Sequence, residues 1–281
     1  MRPILYEGVL FGMPILLKSY TTLNVMALLI ASTYGAIQLR KSGVSWLKIS
    51  ALAICMSAMF LIGARVYYAL LHLQLIFEAP ERLFTLRLVN FGLYGGLMAS
   101  LGTLGLWCYK QRRDVWGILD GGMPWMALAL SFSKLGCFLN GCCYGVISDL
   151  PWAMYFQRAE GNLMGWLTPG LISGVLRGGN LVLRHPTQLY EIGVFLGSAI
   201  LVWAFFAVLS ARKYAFASVE GVKALSYLML ITLGRWWIYA LRDYPKGSDL
   251  TQVMRGPVTY GMLLVLLLFT IHLRVSHGRS K

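Results

Sequence analysis

Charge is what this sequence has least of. Only 13% of its 281 residues are charged, against about a quarter in an ordinary soluble domain. Acids are scarcer still, 11 against 25 Lys and Arg. So little charge excludes a soluble globular protein. Cysteine and histidine are also few, five and four, too few for a disulfide scaffold. No Cys-x-x-Cys pair and no histidine pair at i, i+4 occurs, so no metal centre is expected. The opening Met-Arg-Pro lacks the compact apolar core and small-residue cleavage site of a signal peptide, and none is expected.

Apolar residues are what is there. They make up 58% of the chain, the mean hydropathy is +0.65, and nine Trp contribute to a 13% aromatic share. This is the composition of a polytopic all-α membrane protein with aromatic residues at both interfaces. One bundle of this length is a single transmembrane domain, 1–281. The formal net charge of +14 raises nucleic acid as a partner. However, the bases lie between apolar runs and not on one face. Topology and anionic membrane lipids account for them, and no nucleic-acid binding is expected.

Residues 1–18 read as an irregular or interfacial lead-in. Seven spans follow, at about 19–39, 47–72, 91–109, 115–136, 188–209, 221–241 and 256–273, each near the roughly 20 residues a bilayer requires. Residues 73–90 form a mixed loop around Pro80. A long connection, 137–187, carries Trp152, Phe156 and Trp166, which favour a loop folded onto the membrane surface. One side collects Arg40, Lys41, Lys48, Lys110, Arg112, Arg113, Arg212, Lys213, Lys223, Arg274, Arg279 and Lys281, with only Asp114 and Glu220 as acids. The positive-inside rule therefore places the N-terminus outside, the C-terminus in the cytoplasm and the 137–187 loop on the outer face.

Three bases fall within or at the ends of spans: Arg65, Lys134 and Arg235. A cation in the apolar layer costs roughly 2.5–3.5 kcal/mol on insertion scales, and the only acids within spans are Asp120 and Glu191. This excess suggests an anionic ligand, with phosphate the natural group in a bilayer. Snorkelling or carbonyl pairing is the structural alternative for any one of them.

Three polar clusters stand out. The first is Ser133 to Gly145, with Lys134, Asn140, Gly141 and three cysteines. Packing or a Cys137–Cys142 disulfide, catalysis and metal binding all remain open for those thiols, while Cys55 and Cys108 read as small apolar side chains. The second is Arg184-His185-Pro186-Thr187-Gln188-Leu189-Tyr190-Glu191, where Thr187 could cap a helix; capping does not explain its polar neighbours, which favour a functional role. The third closes span six: Arg235, Tyr239 and Arg242 fall on one helical face, suited to a phosphate headgroup, while an interfacial anchor is the alternative for Trp236, Trp237 and Arg242.

In this order and spacing, the clusters resemble the prolipoprotein diacylglyceryl transferase family. The resemblance rests on Gly63-Ala64-Arg65, Gly95-Gly96, Lys-Leu-Gly-x-Phe-x-Asn-Gly from Lys134, Arg-His-Pro-x-Gln-Leu-Tyr-Glu from Arg184, and Arg235. It implies a bacterial inner-membrane enzyme. Such an enzyme moves the diacylglyceryl group of phosphatidylglycerol onto the cysteine thiol of a prolipoprotein signal peptide and releases glycerol phosphate. No metal or other cofactor is implied. Arg235 and Lys134 would hold phosphate, and Tyr20 resembles the family's tyrosine near the first span. Asn140, Gly141, Arg65, His185, Gln188, Tyr190, Glu191, Tyr239 and Arg242 would line the substrate site. Some positions depart from the family pattern: Tyr94 for a His, Lys134 for an Arg, Cys137 for an Asn, Cys142 for a Glu and Tyr239 for a Glu. Tyr94 would thus take the acid/base place. Two other readings stay open: a family member that binds or moves an anionic phospholipid without transfer, and a thiol-redox membrane protein.

Overall fold

The structure, a computed structural model, describes residues 4–10, 13–71, 93–156, 183–243 and 256–279. The expected loop around Pro80 and the part of the long connection containing Trp166 lie outside the described residues. Seven α-helices are present among the described residues: α1 (Ser19–Lys41), α2 (Trp46–Leu71), α3 (Leu93–Lys110), α4 (Val115–Leu139), α5 (Thr187–Ala211), α6 (Val222–Ala240) and α7 (Pro257–Arg279). Five of them, α1, α2, α4, α5 and α7, are long and apolar enough to cross a membrane. Large apolar side chains point outward along them, among them Trp203 (70% exposed), Ile200, Val265 and Met262. Water would not tolerate so continuous an apolar surface; lipid does.

The N-terminal segment corrects one expectation. It is not irregular: β1 (Ile4–Leu10) pairs antiparallel with β2 (Met13–Lys18), Leu10 opposite Met13 and Gly8 opposite Ile15. Gly12 and Pro14 read as breakers in isolation, yet β-branched and aromatic residues around them suit strands.

The chain forms two compact units, Met1–Ala31 with Asp120–Lys281, and Ser32–Leu119. In the second unit, α2 and α3 pack backbone to backbone. A Cβ on Gly63 would collide with the Gly95 carbonyl and the Ala99 side chain, and one on Gly95 with the Tyr67 side chain. Ser100 Oγ adds a hydrogen bond across the pair to the Met56 carbonyl, 2.9 Å. Small residues are how membrane helices approach closely when no hydrophobic effect drives them together. Asp114 caps α4 by accepting from Trp116 and Gly117 N–H, 3.2 and 2.6 Å.

In the first unit, α4, α5, α6 and α7 surround a core of Met123, Ala127, Ala199, Val202, Phe206, Val222 and Tyr227, flanked by Ile271 and Val275. Asp120 closes one end of this core. Its carboxylate accepts from the Gly221 and Ala224 N–H groups, both at 2.8 Å, which are otherwise unmet donors at the start of α6. This acid caps a helix, and among the described residues it pairs with no side-chain cation.

Candidate functional site

The other end of the first unit begins where α4 stops. Gly141 (φ 69°) and Cys143 (φ 65°) take left-handed backbone, so the chain leaves the helix in a tight turn, with Gly141 N–H on the Phe138 carbonyl, 3.1 Å. The strip that follows is clamped on both sides. Gly145 N–H donates to His185 O (2.8 Å), Val146 N–H to Leu241 O (2.9 Å) and His185 N–H to Val146 O (3.1 Å). Only glycine fits at 145: a Cβ there would strike the Leu241 carbonyl, the His185 Cβ and the Thr187 methyl.

Thr187 corrects a second expectation. It does not cap α5, whose N-cap, Pro186, makes no side-chain capping bond. Instead its hydroxyl, fully buried, donates to Cys143 O at 2.7 Å. One residue on, Gln188 is also fully buried and donates through Nε2 to Cys142 O at 2.6 Å. Its Oε1 has no hydrogen-bond partner among the described residues. A buried acceptor of that kind costs about 1–3 kcal/mol. It therefore marks a place for a donor.

Glu191 sits a turn further along α5, 1% exposed. Three cations from three segments converge on its carboxylate: Lys134 Nζ of α4 at 2.6 Å, Arg235 Nε of α6 at 3.3 Å, and Arg242 Nη1, just past α6, at 3.8 Å. Three cations thus meet on one buried carboxylate, and desolvating several charges together is costly unless they are well matched.

Around it, the Tyr190 hydroxyl accepts from Trp152 Nε1 at 2.8 Å and lies 3.2 Å from His185 Nδ1. Arg184 pairs with Asp243 at 2.6 Å and lies over the Tyr144 ring, 4.9 Å from its centroid. Tyr20 is 44% exposed, and its backbone flanks Gly136 on α4. The Tyr239 ring meets Tyr260 edge to face, centroids 6.2 Å apart.

The cysteines cluster as well. The sulfur atoms of Cys137, Cys142 and Cys143 lie within 4.8 Å of one another, all as free thiols. The Cys142 thiol donates to the Cys137 carbonyl, 3.5 Å away. The Cys143 thiol is held well below the ordinary thiol range. The main cause is hydrogen bonding from Cys137 and then Cys142; burial opposes it, and the charges of Arg242 and Lys134 assist.

Of the residues picked out from the sequence, Lys134, Glu191, Arg235 and Arg242 thus form one cluster, with Gln188, Asn140, Gly141, His185 and Tyr190 in the segments that carry or adjoin it. Arg65, half-buried on α2, and Tyr94, the second residue of α3, belong to the other unit. Sequence reasoning missed Gly145, the backbone clamp and the Trp152–Tyr190 bond; the signal for the first was a glycine amid bulky neighbours.

The family model described as prolipoprotein diacylglyceryl transferase matches residues 8–276. The chain belongs to that family. It is 29% identical over 249 residues to the phosphatidylglycerol–prolipoprotein diacylglyceryl transferase of Clostridium tetani, covering 88% of each chain. To the enzyme of that name from Serratia proteamaculans it is 27% identical over 230 residues, 79% of this chain and 78% of the relative. To that of Corynebacterium efficiens it is 28% identical over 229 residues, 78% of this chain and 66% of the relative. Family membership and the apolar helices together make it a multi-pass membrane protein.

Proposed function

We infer that this protein is a phosphatidylglycerol–prolipoprotein diacylglyceryl transferase, and that the cluster around Glu191 is its headgroup site. Membership of the family supports the reaction over the lipid-binding and thiol-redox alternatives. The observation that carries the site is the convergence of three cations from separate segments on one buried carboxylate, beside the unmatched Gln188 oxygen. A phosphodiester monoanion brings one negative charge to these cations, and the phosphate monoester that leaves brings more. The cluster is thus more complementary to the departing group than to the bound lipid, which is what catalysis requires.

The acceptor thiolate of the signal-peptide cysteine attacks the glyceryl carbon. The C–O bond to phosphate breaks, a C–S bond forms, and glycerol phosphate departs with the electron pair. Arg235 offers a planar fork for two phosphate oxygens and Lys134 a point charge. Arg242 completes the cradle. Glu191 holds the three cations together when no lipid is bound, and Gln188 Oε1 is placed to accept from a headgroup hydroxyl. Asn140, Gly141, His185 and Tyr190 shape the wall. Tyr94 in the acid/base place, Arg65, Tyr20 and Tyr239 are assigned to substrate by the motif alone.

The topology we propose has seven spans in a single domain in the bacterial inner membrane. The N-terminus and the 137–187 loop lie outside, where signal peptides emerge and phosphatidylglycerol enters from the surrounding lipid. The test is Arg235→Ala in a strain dependent on this transferase, with mass spectrometry for the thioether on a cysteine peptide. Loss of product with retained protein supports the assignment. Full transfer by the variant overturns it.

A further inference from the structure

The thiol cluster is not used by the headgroup chemistry, and its geometry has a use of its own. We propose that Cys137, Cys142 and Cys143 bind one thiophilic cation, zinc, through their three sulfur atoms, leaving a fourth position open for an outside thiol.

Tetrahedral zinc with Zn–S bonds of about 2.3 Å places its sulfur ligands about 3.8 Å apart. The three sulfurs already lie within 4.8 Å of one another, so closing on the ion needs a movement of about an ångström or less. The backbone is prepared for that. Cys137 is fixed in the last turn of α4, and Cys142 N–H bonds its carbonyl at 3.1 Å. Cys143 is turned inward by a left-handed conformation that non-glycine residues avoid. The buried Gln188 and Thr187 side chains hold the Cys142 and Cys143 carbonyls in that geometry.

Sulfur donors favour soft ions over magnesium or calcium. A single disulfide among three thiols would leave one unpaired. Three thiolates and a zinc ion carry one net negative charge. Each coordinating thiol gives its proton to solvent.

Three protein ligands leave zinc the open position found in catalytic sites. Its natural occupant here rests on the proposed function: the acceptor cysteine, whose thiol would lose its proton on coordination.

The experiment uses the full chain in detergent, reduced, equilibrated with zinc and desalted. Elemental analysis is expected to find about one zinc per chain, and X-ray absorption three sulfur neighbours at about 2.3 Å. Cys143→Ser should lose most of the metal, and Cys55→Ser should keep it. Zinc below about a tenth of an equivalent, or zinc retained when all three cysteines are Ser, overturns the site. The absorption measurement on the unaltered chain decides even where variants fold poorly: oxygen and nitrogen neighbours alone overturn it. Adding a cysteine peptide should raise the sulfur count to four, and an unchanged count overturns the open position. If the zinc-loaded protein makes no thioether from phosphatidylglycerol and the peptide, transfer is refuted while the metal site stands.

Discussion

Among the described residues, the first unit holds two acids inside helices at its two ends, and they are treated in opposite ways. Asp120 meets two backbone N–H groups at 2.8 Å and completes a helix start. Glu191 meets three side-chain cations and is outnumbered by them. The first arrangement is finished: donors and acceptors match, and nothing remains for a ligand. The second is open, with three cations on one carboxylate and an unmatched Gln188 oxygen beside it. A polar group in a membrane helix signals function by default, yet what separates a site from a brace is whether the partners balance.

That contrast breaks most visibly at Glu191. Glu191→Ala leaves three cations facing one another in a buried space, and removing one partner of a buried pair costs about 3–5 kcal/mol. The expected result is a large fall in thermal unfolding temperature and in membrane yield, partly restored by added phosphatidylglycerol, whose phosphate replaces the missing charge. Restoration by a zwitterionic lipid of equal chain length would refute the headgroup assignment. Arg235→Ala comes next. Losing one preorganised donor to a developing oxyanion costs about 100- to 1000-fold in kcat, or about 2.7–4 kcal/mol. Arg235→Lys should recover only part of the rate, because the point charge lacks the fork.

Much of this was legible in the chain. Long apolar runs predict the helices to within a few residues, because a bilayer demands a fixed length. The shortage of buried acids beside Arg235 and Lys134 pointed to an anion, and the structure places both of these on Glu191. What sequence could not supply was partnership across distance. Thr187 has the local signature of a cap, but its hydroxyl goes to Cys143, 44 positions away. Asp120 looked like a counter-ion, but its donors are backbone groups over a hundred residues on. The hairpin at Ile4–Lys18 was hidden by Gly12 and Pro14. Cys137 and Cys142, spaced by five, show no metal signature until the turn at Gly141 brings them beside Cys143.

Gly145 sharpens the contrast at a middle scale. Gly145→Ala pushes a methyl group against the Leu241 carbonyl, His185 and Thr187, and overpacking of this kind costs about 1–3 kcal/mol. The strip would lift from α5 and loosen the bonds that Thr187 and Gln188 make to it. Transfer activity should fall more than stability, with KM for phosphatidylglycerol raised. A matching Gly193→Ala on the same helix, where a Cβ meets nothing within 4 Å, should change neither.

At the Asp120 end the expected effects are smaller. Asp120→Ala removes a cap worth about 1 kcal/mol and should lower the unfolding temperature modestly, with transfer per folded molecule unchanged. A selective loss of activity would make this end functional after all and dissolve the contrast.

The smallest effect belongs to the rim of the open end. Arg184 and Asp243 pair at 2.6 Å, but their side chains are 24% and 45% exposed, and ion pairs in such settings contribute about 0–1 kcal/mol. Asp243→Ala should therefore shift stability by less than about 1 kcal/mol in a denaturation series. Arg184 keeps its contacts to the Gly145 carbonyl, 3.3 Å, and the Tyr144 ring, so the strip should stay seated and activity should hold. Freed of its carboxylate, Arg184 adds positive potential near the cluster. Initial rates at low salt should rise slightly, and that gain should vanish at high ionic strength, where charges beyond about 10 Å are screened. A salt-independent loss of activity would instead make the pair part of the clamp and move the boundary of the site outward to include it.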